Sequence, residues 1–219
     1  MPPAAPLTAI TNTTLLLNGT NAGIYDLTTI NDIQTIGNAQ ISTTTAKFGT
    51  GSMYFTGSST SYLQVAGQAV ARTLAFSTGD FTVELWVNFA ANNSTYNPFI
   101  RGDTSGQFDL GYDASAALLK YSGSSTVISA SWTPSLSTWY HVAVARSSGT
   151  SKLFVNGTQV GSTATGDTNN YTANDFKIGG SSFSSSHLMN GYMDEIRITM
   201  GYARYTANFT APTAAFPTF

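Results

Sequence analysis

The chain has 219 residues and a formal net charge of −2, and only 9% of its residues are charged, against about 25% in an average protein. Nine lysine and arginine residues are too few for the basic patch of a nucleic-acid-binding protein, so that partner class is excluded. We expect neither a membrane span nor a signal peptide, because the chain contains no long apolar run and begins without a basic region. The absence of cysteine excludes disulfides and thiolate metal sites.

Serine and threonine take the place that lysine and glutamate usually hold, and they make up 58 of the 219 residues. Threonine, valine, tyrosine and phenylalanine are plentiful, which favours β structure. The hydrophobic content of 42% is enough for one substantial core. Neutral hydroxyl groups are therefore expected to cover the solvent faces of the sheets.

The two ends of the chain are predicted to differ from its body. Residues 1–13 begin with three prolines within six positions, which predicts an extended arm. A single domain is expected over residues 14–219, and it ends in a tail at 206–219 that contains proline and alanine. Tyr202, Tyr205, Phe209 and Phe216 give this tail apolar anchors, so it is predicted to be ordered in part.

Strands are predicted along most of the body. The clearest one covers residues 81–89, where every odd position is apolar, so that one face enters a core. The dipeptide Asn156-Gly157 between two strand-like runs predicts a tight hairpin. All the prolines, Pro98 included, are predicted to lie at the ends of the chain or in loops. Further strands are predicted at residues 52–55, 62–65, 139–146, 152–155, 158–162, 176–179 and 192–198.

This pattern predicts an all-β fold in which two antiparallel sheets form a β-sandwich. Five motifs in order strengthen the prediction, because together they resemble laminin-G-like, concanavalin A-like jelly-roll domains. They lie at residues 47–57, 81–87, 139–144, 153–157 and 191–198. The resemblance extends over roughly residues 14–210 and implies a jelly roll.

The end of the domain carries a more specific resemblance. Residues 201–213, with the sequence GYARYTANFTAPT, are similar to the C-terminus of laminin-G-like domains in tailed-phage virion proteins. This implies a non-enzymatic structural or surface protein of a virion, with other virion proteins, like modules and host-surface glycans as partners. The alternatives are a secreted, extracellular lectin-like carbohydrate-binding module and, less favoured, an atypical glycoside hydrolase.

The few ionisable side chains argue against an enzyme. Related jelly-roll glycosidases carry carboxylates at alternate positions of one strand, whereas Asp194 and Glu195 are adjacent and are expected to point to opposite faces. Glu84 or Glu195 is expected to pair with Arg197 within the sheet. His141 lies in a predicted strand and is interpreted as a packed structural histidine.

A calcium ion is the one cofactor that the resemblance implies. Laminin-G-like domains often hold one Ca²⁺ through carboxylate and carbonyl oxygens, and the corresponding acidic positions fall on Asp26 and Asp194. The alternative is that Asp194 caps a turn or accepts hydrogen bonds from backbone amides. A second acidic group, Asp103, Asp109 and Asp113, lacks the spacing of a calcium loop and is interpreted as loop and strand-end residues.

Aromatic residues supply the candidates for glycan binding. Trp86 and Asn88 lie on the strand face opposite the apolar positions of residues 81–89, so they form a platform if that face is open. The alternative is that loops or a third layer cover it. Trp132, between Ser131 and Thr133, is the tryptophan expected to be most exposed.

Overall fold

A computed structural model of the protein describes residues 12–20, 23–58, 61–66, 75–92, 94–102, 107–172, 175–181 and 184–217. Within these ranges the chain forms fifteen strands and no helix. It therefore contains, over the same ranges, no helix of the length and apolarity needed to cross a membrane. The strands are β1 (Thr13–Leu17), β2 (Ile33–Ile36), β3 (Gln40–Ser42), β4 (Ser52–Thr56), β5 (Tyr62–Ala66), β6 (Phe81–Phe89), β7 (Tyr96–Gly102), β8 (Asp109–Asp113), β9 (Leu118–Ser122), β10 (Thr126–Ser131), β11 (Trp139–Ser147), β12 (Thr150–Val155), β13 (Thr158–Thr165), β14 (Asp175–Ile178) and β15 (Asn190–Met200).

The strands form two antiparallel sheets, which confirms the predicted all-β sandwich. The first sheet has the order β13-β12-β11-β6-β15-β4-β3, and β1 pairs with β15 beside this path. The second sheet has the order β10-β9-β8-β7-β14-β5-β2. Neighbouring strands are often distant in sequence, so residues far apart along the chain meet on each sheet face.

The core lies between the two sheets and follows the predicted alternation along β6. Phe81, Val83, Leu85, Val87 and Phe89 are all fully buried and belong to one hydrophobic cluster. The intervening residues of β6 are buried as well. Because these residues point away from the core, other segments must cover the outer face of the first sheet.

The C-terminal tail covers part of that face. The ring of Phe209 stacks on Tyr205 at 3.6 Å, and its backbone N–H donates to the Gly157 carbonyl. Phe216 is buried, and its N–H donates to the Glu195 carboxylate. The predicted anchoring of the tail is therefore confirmed for Tyr205, Phe209 and Phe216. It is wrong for Tyr202, which is 54% exposed.

The hairpin predicted at Asn156-Gly157 is also confirmed, since both residues have positive φ, 49° and 81°, between β12 and β13. Glycine is required here for a second reason. A Cβ at Gly157 would collide with the carbonyl oxygen of Phe209, so the hairpin turn and the tail fit together only without a side chain.

Two predictions need correction or restriction. Pro98 does not lie in a loop but within β7, where the pairing with β8 shifts register between Pro98 and Ile100. This bulge allows a residue without an N–H to stand inside a sheet. Thr13, predicted as part of the N-terminal arm, already pairs with Thr199, and residues 1–11 of that arm lie outside the described residues.

Candidate functional site

Trp86 does not form an open platform, because a loop covers it. The Lys47 ammonium lies 3.9 Å from the centre of the Trp86 ring, and the Phe48 ring meets it edge-on at 5.8 Å. His141 packs on the same side, and Trp86 is only 5% exposed. Trp86 is therefore held as a packing residue beneath this loop.

Of the other two predicted ligand residues, Asn88 is the outer-face neighbour of Trp86, whereas Trp132 lies elsewhere. Asn88 is 4% exposed and lies one outward-facing position further along β6. Trp132 is half-buried and packs against Phe89, Tyr112 and Tyr140 at the edge of the core. We expected Trp132 to be exposed to solvent, but these contacts make it a packing residue. The three residues do not form one site.

A buried charge cluster lies beside Trp86 and is centred on Glu84. One carboxylate oxygen accepts two hydrogen bonds from Arg197, at 2.7 and 2.8 Å, and lies 3.7 Å from Arg204. The other accepts the Tyr205 hydroxyl and lies 3.2 Å from His141 Nε2. Burial by itself raises the pKa of Glu84, but the nearby positive charges, that of Arg197 first, lower it to about 2. The expected pairing with Arg197 is thus confirmed for Glu84, and His141 is a packed histidine.

Asp194 and Glu195 differ from the prediction that they point to opposite faces. β15 bulges between Asp194 and Arg197, and Glu195 has a φ of 51°. Met193 and Ile196 both enter the core, so the two carboxylates between them lie on the outer face together. Burial, reinforced by the charge of Asp194, raises the pKa of Glu195 to about 8.

Asp26 organises its own loop. One carboxylate oxygen accepts the N–H groups of Leu16 and Thr28, each at 3.0 Å. The other accepts the Thr28 hydroxyl and both the backbone and side-chain N–H groups of Asn31. Five donors therefore surround one buried carboxylate.

Asp194 is held in the same way by backbone amides from distant parts of the chain. One oxygen accepts the N–H groups of Gly19 and Glu195, and the other accepts those of Lys47 and Phe48. The structure therefore shows the alternative that we considered, in which Asp194 accepts hydrogen bonds from backbone amides. Its function is to fix the loop that covers the first sheet.

These surroundings do not fit the calcium ion implied for Asp26 and Asp194. A carboxylate offers about four lone-pair positions, and the donors around each residue already use them. The same N–H groups present positive charge where a cation would have to approach. No group of three or more His, Asp or Glu side chains in the described ranges is arranged to hold a metal ion.

The second sheet carries an open groove of about 260 Å³ on its outer face. Leu110 and Tyr112 of β8 enter the core, so Asp109 and Asp113, the first and last residues of that strand, face outward. This confirms them as strand-end residues, while Asp103 lies outside the described residues. We call this site the polar groove; it is lined by Thr95, Tyr96, Asp109, Asp113, Lys120, Ser122, Thr126 and His187.

Tyr96 and Gly111 shape the floor of the polar groove. The Tyr96 hydroxyl donates to Asp109 at 2.9 Å, so its ring spans from β7 onto β8. A Cβ at Gly111 would lie 2.6 Å from that hydroxyl oxygen, so only glycine leaves room for the ring. Burial raises the pKa of Asp109 to about 6, although Arg101 at 3.6 Å opposes the shift.

The groove presents both donors and acceptors to solvent. Arg101 Nη1 and His187 Nδ1 are 2.9 Å apart, and because a guanidinium only donates, Nδ1 must accept and the ring proton must sit on Nε2. Burial and the charge of Arg101 lower the pKa of His187, which agrees with a neutral ring. On the other side, Lys120 donates to Asp113, whose pKa falls to about 2: burial raises it, but the Lys120, Ser115 and Ala116 hydrogen bonds outweigh burial.

The polar groove could not be predicted from the sequence, because its walls come from five separate segments. β7, β8 and β9 supply most of the residues, and His187 arrives from a bridge beside Tyr96. One local signal was present. Asp109, Gly111 and Asp113 alternate with Leu110 and Tyr112, which is the pattern of a strand with a polar outer face.

Comparison with known proteins connects this fold to one family and several binding domains. The sequence profile of the concanavalin A-like lectin/glucanases superfamily matches residues 56–202, more than half of the chain. A search of curated protein sequences found no match.

Solved structures share the fold at low sequence identity. Domain 4 of the GH43 extracellular arabinanase AbnA from Geobacillus stearothermophilus, solved in complex with arabinotriose, superposes with a TM-score of 0.68 at 19% identity, covering 88% of this chain and 94% of that domain. The binding domain of Paraclostridial Mosquitocidal Protein 1 gives 0.69 at 15% identity, covering 89% and 50%. The receptor-binding domain of botulinum neurotoxin C/D mosaic serotype gives 0.63 at 13% identity, covering 86% and 48%. The chain thus spans about half the length of these two toxin structures.

Proposed function

Because this chain belongs to the concanavalin A-like lectin/glucanase superfamily, we propose that it is a non-catalytic carbohydrate-binding module whose polar groove holds a sugar ring. The observation that carries the proposal is the open groove itself, which has a volume of about 260 Å³. Carboxylate, hydroxyl, ammonium and imidazole groups line it together. The arabinanase domain that shares the fold was solved with arabinotriose, which supports a carbohydrate as the class of ligand.

The groups of the polar groove match the chemistry of a sugar. Each sugar hydroxyl both donates and accepts, so a site needs acceptors and donors side by side. The carboxylate of Asp109 supplies an acceptor, while Lys120 and the Nε2–H of His187 supply donors. The Tyr96 ring is buried except for 8% of its surface, which adds a small apolar area at the floor. Hydrogen bonds to charged groups contribute about 1.5–3 kcal/mol each, so a few are enough for measurable affinity.

The spacing of the carboxylates supports a binding function over glycosidic hydrolysis. Asp109 and Asp113 lie four residues apart on one strand, so their Cα atoms are separated by about 13 Å. A glycosidase needs its two carboxyl groups about 5–9.5 Å apart. Glu84, the other obvious candidate, is ionised and locked between Arg197 and His141 beneath the tail.

A glycan array probed with the full chain tests the proposal, followed by calorimetry on the strongest signal. Asp109→Asn should weaken binding at least about tenfold, because it removes a charged acceptor. The matched control is Asp32→Asn, which changes an exposed aspartate of a loop and should leave affinity unchanged. Failure to bind any glycan, or equal affinity of both variants and the parent, would contradict the proposal.

The pH dependence provides a second test at the same site. The pKa of Asp109 is about 6, so the ionised acceptor is present above pH 6 and is lost as the pH falls through that value. Glycan affinity should therefore decline between pH 7 and pH 5. The Asp109→Asn variant should lack this decline, and a parent protein whose affinity is constant over that range would contradict the assignment.

We further propose that the module belongs to the surface of a tailed-phage virion, where it contacts other virion proteins and host-surface glycans. The similarity of residues 201–213 to the C-terminus of virion laminin-G-like domains supports this placement. The alternative is an extracellular lectin-like module. Mass spectrometry of purified virions separates the two, because the proposal requires the chain in the particles, and its occurrence only as free extracellular protein would overturn the virion assignment.

A further inference from the structure

We infer a second carbohydrate site on the outer face of the first sheet, built from a transverse row of aromatic and amide side chains that binds an extended, neutral oligosaccharide. The row runs across five adjacent strands, from β3 to β11, and we call it the aromatic–amide row. In strand order it consists of Gln40, Tyr54, Tyr192, Asn88 and Trp139.

The register of the sheet aligns these residues directly. Gln40 pairs with Tyr54, and Tyr54 pairs with Tyr192. Tyr192 in turn pairs with Asn88, which pairs with Trp139. Because neighbouring strands lie 4.7–4.9 Å apart, the row is about 19 Å long. That length suits several linked sugar rings better than a single ring.

The row is the part of this face that the coverings leave accessible. Met53, Val87 and Met193, which precede or follow row residues along their strands, enter the core, so the row itself faces outward. The next position along β6 lies under the loop of Lys47, and the one beyond it lies under the tail. Gln40 is exposed, and the three aromatic residues of the row are half-buried.

Two of the aromatic rings stand upright on the sheet. The centres of the Tyr54 and Tyr192 rings are 4.9 Å apart, with an angle of 30° between their planes. Since this distance equals the strand spacing, the rings must stack side by side instead of lying flat. Tyr192 and Trp139 then flank Asn88 at a separation of two strand spacings, about 10 Å.

Asn88 offers a free amide within the row. It is 96% buried between its neighbours, yet its side-chain amide makes no hydrogen bond with any part of the chain that the structure describes. The amide is not fully shielded from solvent, so water satisfies it in the free protein. A sugar hydroxyl would replace that water, because it can serve both the donor and the acceptor of the amide. The amide at the floor and the rings beside it make a slot for a polar ring with apolar faces.

The chemistry of the row selects a neutral ligand. None of its five residues carries a charge, and the ammonium of Lys47 lies over the neighbouring Trp86 ring. An acidic or basic chain would lose hydration here without gaining an opposite charge. The polar groove, in contrast, contains Asp109, Asp113, Lys120 and His187, so the two sites are expected to differ in ligand preference.

The test titrates the full chain with cellohexaose, xylohexaose and mannohexaose, and with an acidic hexamer of galacturonate. At least one neutral hexamer should bind, and its disaccharide should bind at least about tenfold more weakly because it spans only part of the row. Trp139→Ala should weaken hexamer binding about tenfold, and Trp139→Phe, which retains a ring, should keep most of it. Binding of the acidic hexamer alone, binding of none, or an unaffected Trp139→Ala variant would overturn the inference.

Matched glutamine variants guard against a folding artefact. Gln40 of β3 and Gln34 of β2 are both exposed on edge strands, but only Gln40 belongs to the row. Gln40→Ala should lower hexamer affinity about fivefold and Gln34→Ala should not, with both melting temperatures unchanged. Asp109→Asn should leave hexamer binding at the row intact, so failure of this inference is distinguishable from failure of the polar groove. Equal hexamer affinity of the Gln40→Ala and Gln34→Ala variants would contradict the assignment of the aromatic–amide row as a binding site.

Discussion

The outer faces of the two sheets contain similar side chains in opposite situations. On the first sheet, Glu84 and Arg197 are almost completely shielded from solvent by the tail. On the second sheet, the side chains of Asp109 and Lys120 are 17% and 26% exposed in an open groove. Both sets alternate with apolar residues along β-strands. The covering segments decide which carboxylates hold the fold together and which are available to a ligand.

The pKa values of the carboxyl groups express this difference. Burial disfavours the charged form of Glu84 and of Asp109 alike, but Glu84 gains Arg197, His141 and Arg204 as neighbours, and its pKa falls to about 2. For Asp109, burial outweighs the charges of Arg101 and Lys120, and its pKa rises to about 6. A carboxylate saturated with cations is structural, whereas one that lacks them retains capacity for a new partner.

Removing the centre of the covered cluster should have the largest effect. Glu84→Ala leaves Arg197 and Arg204 buried without their anion, and breaking a buried ion pair in this way costs about 3–5 kcal/mol. Urea denaturation should show this loss in the free energy of unfolding. A loss below about 1 kcal/mol would mean that solvent reaches the cluster around Glu84, and would contradict the view that the tail shields this face of the first sheet.

Loosening the cover comes next. Phe216 is 4% exposed, and the Arg197 guanidinium lies 3.8 Å from the centre of its ring. Phe216→Ala should lower the free energy of unfolding by about 3 kcal/mol, since it removes a buried aromatic ring. Thermal and urea unfolding measure the effect, and the exposed Tyr202→Ala serves as control, with a small change expected. Equal effects of the two variants would show that the tail does not cover the sheet.

Glu195 should give the covered face an unusual pH dependence. Its pKa is about 8 in the folded protein against 4.5 ordinarily, so between these values the folded state retains a proton that the unfolded state has lost. Stability from this group is full below pH 4.5 and declines as the pH rises to 8, by at most about 1.4 kcal/mol per pH unit. Glu84 acts oppositely, because its stabilisation is lost as the pH falls from 4.5 towards 2.

The Glu195→Gln variant isolates that contribution. Its amide oxygen still accepts the Phe216 N–H but does not ionise. Melting temperatures between pH 5 and pH 8 should therefore decline less for this variant than for the parent. Parallel curves for the two proteins would contradict a neutral Glu195 in the folded state.

On the open face, the same kind of substitution should have little effect on stability. Lys120→Ala removes the partner of Asp113, but partly exposed ion pairs contribute about 0–1 kcal/mol. Urea denaturation should place this variant within about 1 kcal/mol of the parent, while its glycan affinity falls. A stability loss as large as that of Glu84→Ala would remove the distinction between the two faces.

Calcium should have the smallest effect. Because N–H donors saturate Asp26 and Asp194, millimolar CaCl₂ added after chelator treatment should leave the melting temperature unchanged. A calorimetric titration of the same sample should give no binding heat. A rise in melting temperature that Asp26→Asn abolishes would restore the calcium assignment.

The sequence was informative where one local pattern decides the structure. The alternation of residues 81–89 predicts β6 with its correct bounds, and Asn156-Gly157 predicts the turn between β12 and β13. The strands from β7 to β10 were not predicted, because Pro98 and Gly123 interrupt the pattern and the alternation around Gly111 is only five residues long. In the folded chain Pro98 lies at a bulge, Gly111 leaves room for the Tyr96 ring, and Gly123 lies in the turn between β9 and β10.

The sites depend on contacts that no local pattern encodes. Asp194 binds amides 146 and 147 residues away, and this contact holds the loop that covers Trp86. The bulge at Glu195 turns the carboxylates of Asp194 and Glu195 to the same face of the sheet. A regular strand would place two consecutive side chains on opposite faces, so the sequence pattern predicted the wrong arrangement. The polar groove likewise forms only when β7, β8 and β9 become neighbours in the sheet. The sequence analysis therefore considered Asp109 and Asp113 but did not predict that they line a common site.

Chemical-shift mapping tests most directly the claim that the open face binds sugars while the covered cluster is structural. The ¹⁵N-labelled full chain would be titrated with the glycan that gives the strongest array signal. The account predicts that the largest amide shifts occur at Asp109, Lys120 and His187 of the polar groove, with little change at Glu84 and Arg197. Shifts concentrated at Glu84 and Arg197, or an unperturbed groove at saturation, would contradict it.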